Sequence, residues 1–167
     1  MSNHPSFRES QRFTQIWVWA LLLIPAAVLL YNSAAQILLD RPWGDEPPSA
    51  GVLLAVNAVW FGIIFLFAGI RLHTKIDRHG ITYRFIPFHQ VERHIRWESV
   101  SGCSVEEFRY TTMYQFHGIR YRPVHGGWTY SIRGNQWIRI DMRNGKRIFI
   151  GTQKPGEVSS IIRRLRQ

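Results

Sequence analysis

The sequence predicts an α+β membrane protein: a two-helix transmembrane hairpin, then an antiparallel β-barrel or bent sheet of about seven strands, closed by a C-terminal helix. Three observations carry this expectation. Two long, nearly uncharged apolar runs occupy most of the first 70 of the 167 residues. From Leu72 onward, apolar residues recur with period two between turn signals, as half-buried strands require. Near the end, Val158, Ile161, Ile162 and Leu165 change to the i, i+3, i+4, i+7 spacing of one helix face.

The apolar runs are Ile16–Leu39 and Ala50–Ile70. Each is long enough to cross a hydrocarbon core of ~30 Å as a helix rising ~1.5 Å per residue. The first exceeds a signal-peptide core and stays apolar past the small residues Ser33, Ala34 and Ala35, so an uncleaved span is expected. Asn32, Gln36 and Asn57 interrupt the runs and are the candidate helix–helix contacts, because a neighbouring helix can satisfy polar groups that lipid cannot. The connection Asp40–Ser49 is short, acidic and rich in proline. Arg8 and Arg12 precede the first run, and Arg71, Lys75 and Arg78 follow the second. The positive-inside rule therefore puts both termini in the cytoplasm. Residues 1–71 are read as the membrane hairpin and 72–167 as a cytoplasmic β-domain.

Strands are expected at 72–77, 81–86, 94–97, 102–107, 128–133, 137–142 and 146–150. Asp77-Arg-His-Gly80 reads as the tight turn of the first hairpin, with Gly80 free to take positive φ. The last hairpin allows its register to be argued. A two-residue turn at Asn144-Gly145 would set Met142 against Arg147 and mix the faces. A three-residue loop, Arg143-Asn144-Gly145, pairs Ile138 with Ile150, Ile140 with Ile148, and Asp141 with Arg147. Because one face must be buried, the second register is expected.

Charge is unevenly spread. The formal net charge is +10, yet the chain from Arg71 onward carries 18 basic and 7 acidic side chains. So basic a domain is expected to meet something negative, and for one tethered to a bilayer the anionic lipid surface is the partner already present. The single cysteine, Cys103, precludes an intramolecular disulfide and is read as a small apolar residue.

Two spans, seven strands and a closing helix resemble the bacterial pleckstrin-homology-like (PH-like) membrane proteins. The stretches that carry the resemblance are Ile81-Thr-Tyr-Arg-Phe-Ile-Pro-Phe88, Ile95-Arg-Trp-Glu98, Gly118-Ile-Arg-Tyr121, Trp128-Thr-Tyr130 and Gly145-Lys-Arg-Ile-Phe-Ile-Gly-Thr152. The resemblance implies a non-enzymatic module in the bacterial cytoplasmic (inner) membrane. Lys75, Arg78, His79 and Arg84 correspond weakly to the basic pocket of lipid-binding relatives, without implying phosphoinositide specificity.

No pattern for catalysis stands out: there is no glycine-rich phosphate loop, metalloprotease helix, nucleophile elbow or zinc-spaced cysteine set. Glu106 and Glu107 are adjacent on a strand and point to opposite faces. The seven histidines define no shared spacing, so no metal, cofactor or enzymatic activity is expected, and nucleic acid is not the expected partner. The long segment Phe108–Gly127 mixes aromatic side chains with arginine. Arg109, Tyr110, Tyr114, Arg120, Tyr121 and Arg122 are its candidate contacts with lipid phosphates or with a protein partner. The segment is read equally as an ordered loop or an extra hairpin packing its own aromatics. The expected role is a membrane-anchored binding or scaffold module touching anionic headgroups or a partner. The alternative is an accessory subunit of a larger membrane assembly, joined through the hairpin to another membrane protein or to itself.

Overall fold

A computed structural model of the protein describes residues 6–42, 44–107, 118–122 and 126–165. The chain divides into two compact units. One runs from Phe13 to Gly69; the other combines the segment ending at Arg12 with the chain from Ile70 onward.

The first unit is a pair of helices, α1 (Ile16–Leu39) and α2 (Ala50–Gly69), both long and apolar enough to cross a membrane. Val18, Leu22, Ala26 and Ser33 form a buried stripe on α1, opposite Leu53 and Asn57 on α2. Most other apolar side chains of the pair are exposed, among them Leu21, Val59 and Phe65. The helix α1 ends where Asp40 turns left-handed (φ 47°) and Arg41 N–H bonds back to Ala35 O at 3.1 Å, which satisfies a carbonyl left open at the helix end.

The second unit holds two sheets. The first has the order β1 (Phe7–Arg12), β2 (Arg71–Asp77), β3 (Gly80–Ile86), β4 (Arg93–Arg96), all antiparallel. The second comprises β5 (Val100–Glu107), β6 (Gly118–Arg122), β7 (Gly127–Ser131), β8 (Gln136–Met142) and β9 (Arg147–Gly151). Its order is β5-β8-β9-β7-β6. The expected barrel is thus corrected to two sheets, of nine strands among the described residues, that do not close on one another. The strand pair β7–β9 is parallel, which also departs from the antiparallel arrangement expected. The Arg133-Gly134-Asn135 connection therefore leads from β7 not to a neighbouring strand but across β9. Gly127 permits this pairing, since a Cβ there would lie 2.5 Å from Arg147 O.

Two strands lie outside the period-two pattern. Segment 118–122, within what reads as a long connection, is β6 and forms a hairpin with β7. Phe7–Arg12, grouped with the membrane segment by hydropathy, is β1 and pairs with β2 from Phe7↔Ile76 to Arg12↔Arg71. Its inward residues are Phe7, Glu9 and Gln11. Gln11 Nε2 donates to Gly151 O at 2.7 Å, while Glu9 accepts from Thr152 Oγ1 (2.7 Å) and Gln153 N–H (2.8 Å). A polar strand can be buried in this way because the Gln11 amide N–H and the Glu9 carboxylate find hydrogen-bond partners in the core.

Alternation is regular in β2 and β3. Leu72, Thr74 and Ile76 of β2 and Ile81, Tyr83 and Phe85 of β3 are buried, as are Ile138, Ile140 and Ile150 of the second sheet. Tyr83 meets Tyr130 of β7 at 5.0 Å between ring centroids, joining the two sheets. The last hairpin has the expected register, with Ile138↔Ile150, Ile140↔Ile148 and Asp141↔Arg147. Gly145 (φ +79°) donates to Met142 O in the three-residue loop. The turn at Asp77–Gly80 is also as expected, with His79 N–H bonded to Asp77 Oδ1. The C-terminal helix α3 (Pro155–Leu165) buries Val158 and Ile162 against β5, β8 and β1. It carries Arg163 and Arg164 in its last turn, where cations complement the helix dipole.

Candidate functional site

The outward face of the first sheet gathers several cations, among them Arg8, Arg12, Arg71, Lys75 and Arg84. Alternation turns Leu72, Thr74 and Ile76 inward, so Arg71, His73 and Lys75 face out, and the register aligns them with outward residues on either side. One row across the strands is Arg8–Lys75–Thr82–His94, the next Ser10–His73–Arg84, and the third Arg12–Arg71–Ile86. Between the first two rows lies a shallow cleft of about 530 Å³, its lining including the basic Arg8, His73, Lys75 and Arg84 together with Glu9 and Glu92.

Some of these charges are held locally. Lys75 Nζ lies 2.7 Å from Asp77 Oδ2, and this hydrogen bond is the main cause of a lowered Asp77 pKa. Arg84 Nε donates to His89 O at 3.3 Å, and Thr82 Oγ1 shares a 2.9 Å hydrogen bond with His94 Nδ1. Arg8, Arg12 and Arg71 make no ion pair among the described residues. Arg8 faces Lys75 directly across the strands, and Arg12 faces Arg71. Like charges placed opposite one another destabilise a sheet by roughly 0.2–1 kcal/mol per pair. An anion set between them would remove that cost, so the arrangement is chemically suited to phosphate or carboxylate rather than to a cation.

The second sheet treats its charges differently. Arg139 is bracketed by Asp141 and Glu106 (both 2.9 Å), and Asp141 also meets Arg147 at 3.1 Å. The hydrogen bonds Arg139 donates to Asp141 and then to Glu106 raise its pKa. These cations are neutralised within the fold. Glu107, on the opposite face from Glu106, accepts a hydrogen bond from Asn135.

The residues proposed from sequence are distributed as follows. Arg109, Tyr110 and Tyr114 lie outside the described residues. Arg120, Tyr121 and Arg122 are on β6, in the second sheet and not on the cationic face. Tyr121 stacks edge-on with Trp128 at 5.5 Å, and both rings are about half exposed. In the helix pair, Asn57 Nδ2 donates to Ser33 Oγ (2.7 Å) and to Leu53 O, while Gln36 Nε2 donates to Pro48 O. Asn32 instead bonds Val28 O of its own helix at 2.8 Å, the usual recourse of a side chain without a partner helix. Ser33 and Trp60, whose Nε1 reaches Leu22 O at 2.9 Å, are inter-helix contacts that hydropathy did not single out. Among the described residues no three His, Cys, Asp or Glu side chains gather where they could hold a metal ion. Cys103 is half-buried on β5.

A second cluster joins the sheets at the β3–β4 connection. His89 is buried, with its ring edge-on to Tyr83 (5.9 Å) and Tyr130 (5.2 Å). Its Nδ1 accepts Phe85 N–H, and its own N–H donates to Phe85 O at 2.7 Å. Burial raises the Tyr83 pKa well above its ordinary value of 10.0, reinforced by Tyr130. Burial, and then the charge of Arg93, pull His89 below its ordinary 6.5. Below 6.5 the unfolded chain binds more protons, so the stability from neutral His89 is complete above about 6.5 and is lost as pH falls from there through the lowered folded pKa. The thermal midpoint should therefore decline from about pH 7.5 to pH 5, and His89→Leu should flatten that decline. An unchanged slope in the variant would remove His89 as its cause. Asp77, with its depressed pKa, contributes in a separate window below its ordinary 3.8.

In comparisons with known proteins, no family model matches the chain and no curated protein sequence matches it.

Proposed function

We propose that this chain is a membrane-anchored, non-enzymatic binding module that presents the cationic face of its first sheet to the anionic phosphates of the bilayer it spans. The observation that carries this reading is the pair of opposed like charges, Arg8↔Lys75 and Arg12↔Arg71, on one sheet face. Nothing internal neutralises Arg8, Arg12 or Arg71 among the described residues, whereas Arg139 and Arg147 have carboxylate partners. Each basic side chain near an anionic leaflet gains ~1 kcal/mol, enough to offset the repulsion.

Chain connectivity supports the anchoring. The last residue of β1 is four positions before α1, and the first of β2 is two after α2. Because β1 and β2 pair with one another, both flanks of the helix pair belong on one side of the membrane, and the basic residues there favour the cytoplasmic side. Two sheets followed by a C-terminal helix support a PH-like plan, from which the parallel β7–β9 pair departs. The alternative role, an accessory subunit held through its helices, gains little from Gln36 and Asn57, whose hydrogen bonds are made within the pair.

The test uses the full chain in nanodiscs of neutral lipid and of lipid with an anionic fraction. The thermal midpoint of the β-domain should be higher in anionic discs, as binding to the folded state alone requires. The difference should shrink with added salt and with the double variant Arg8→Ser, Lys75→Ser. Equal midpoints in both lipids at low salt would refute lipid recognition.

A further inference from the structure

The connection between β3 and β4 exposes two large apolar side chains, Phe88 (61%) and Val91 (77%). Exposed apolar residues are ordinary when scattered, but this pair sits on a loop pinned from within. His89, between them, is buried against Tyr83 and Tyr130 and is tied twice to Phe85. Phe88 rests one side of its ring on Phe85 at 5.8 Å and leaves the rest uncovered. Holding His89 inside thus holds Phe88 outside.

The register says where this loop stands. Ile86, the last residue of β3, is paired with Arg71, and Arg71 with Arg12. The loop therefore leaves the sheet at the end where the chain departs for α1 and returns from α2. Arg12, Arg71 and Arg84 belong to the same end. Apolar side chains at the same sheet end as arginines are the composition suited to the boundary between headgroups and acyl chains.

We propose that Phe88 and Val91 insert into the interfacial layer of the bilayer crossed by α1 and α2, giving the β-domain a third attachment to the membrane beside its two covalent ones. The inference rests on the membrane-anchored reading above. It adds to that reading a hydrophobic contact, which salt does not screen.

The chain has one cysteine, which makes site-directed labelling direct. In a Cys103→Ser background, single cysteines at Phe88→Cys and Val91→Cys carry a nitroxide, and the full chain is reconstituted in nanodiscs. Relative accessibility to oxygen and to a water-soluble nickel complex reports depth. His79→Cys, in the turn at the opposite end of β2, is the aqueous reference. Val56→Cys, exposed on α2, is the lipid reference. Positions 88 and 91 should favour oxygen several-fold more than position 79, and less than position 56. Values at 88 and 91 equal to that at 79, with 56 in lipid, overturn the insertion and leave the anchored reading standing. An aqueous value at 56 overturns both.

Discussion

Removing residues 1–12 is expected to unfold the β-domain, even though hydropathy groups them with the helices. That truncation removes a whole edge strand with six cross-strand pairs. It uncovers the surface beneath Phe7, only 2% exposed, whose burial is worth about 1.5–3 kcal/mol. It also deletes Gln11 and Glu9, which bond Gly151, Thr152 and Gln153 at the start of the closing helix. Together these losses approach the ~5–15 kcal/mol that holds a domain folded. The fragment Leu72–Gln167 should accordingly lack a cooperative thermal transition. The complementary chain is expected to succeed: Arg12 and Arg71 are directly paired, so replacing residues 13–70 by Asn-Gly closes β1 and β2 as a two-residue hairpin. Circular dichroism with heating decides the matter. A fragment 72–167 melting cooperatively at the midpoint of the joined chain would show that β1 contributes nothing.

Gly80→Ala should be the most damaging single substitution at a surface turn. Gly80 has φ +149°, and an added Cβ would lie 2.0 Å from Ile95 O and 2.9 Å from Ile95 C. Both atoms are backbone of the neighbouring strand, so no side chain can move aside and β4 itself must shift. That shift would disturb the Gly80↔Arg96 pairing and the 2.7 Å bond from Trp97 Nε1 to Asp77 O. Gly145 is the control: its φ is +79°, yet a Cβ there meets nothing within 4 Å. Backbone strain alone gives ~1–3 kcal/mol for Gly145→Ala, and the collision should take Gly80→Ala beyond about 4 kcal/mol. Urea unfolding of the chain joined through Asn-Gly measures both. Equal midpoints for the two variants would mean that β4 yields freely.

The two predictions together show what kind of information the chain carries locally. The apolar runs announce α1 and α2 because their composition alone is suited to that length and solvent. Strands β2 and β3 are legible because one face of each meets the core and the other does not, and the period of two records it; β7–β9, buried on both faces over part of their length, are legible as short apolar and aromatic runs between turn signals. The register of the last hairpin was derivable for the same reason: only one loop length puts Ile138, Ile140, Ile148 and Ile150 on a common face. The segment Phe-Arg-Glu-Ser-Gln-Arg shows no such contrast. After Phe7 its inward positions carry the half-buried Glu9 and the buried Gln11, made acceptable by hydrogen bonds to residues about 140 positions away.

The candidate site follows the same division. Sequence supplied the excess of arginine and the reason to look for an anion, and it placed Lys75 and Arg84 in the first hairpin. It read Arg8 and Arg12 only as flanking charge and directed attention to the 108–127 segment, whose described candidates Arg120, Tyr121 and Arg122 lie on β6. Composition, hydropathy runs and the alternation of faces were determined by the sequence itself, since each depends on how a residue meets water or lipid. Which strands pair, that two of them run parallel, that the sheets stay separate, and that Arg8 comes to lie against Lys75 were decided only in the tertiary structure. Backbone hydrogen bonds are alike for every residue, and the choice between partners is made by packing and by bonds between positions far apart in the chain.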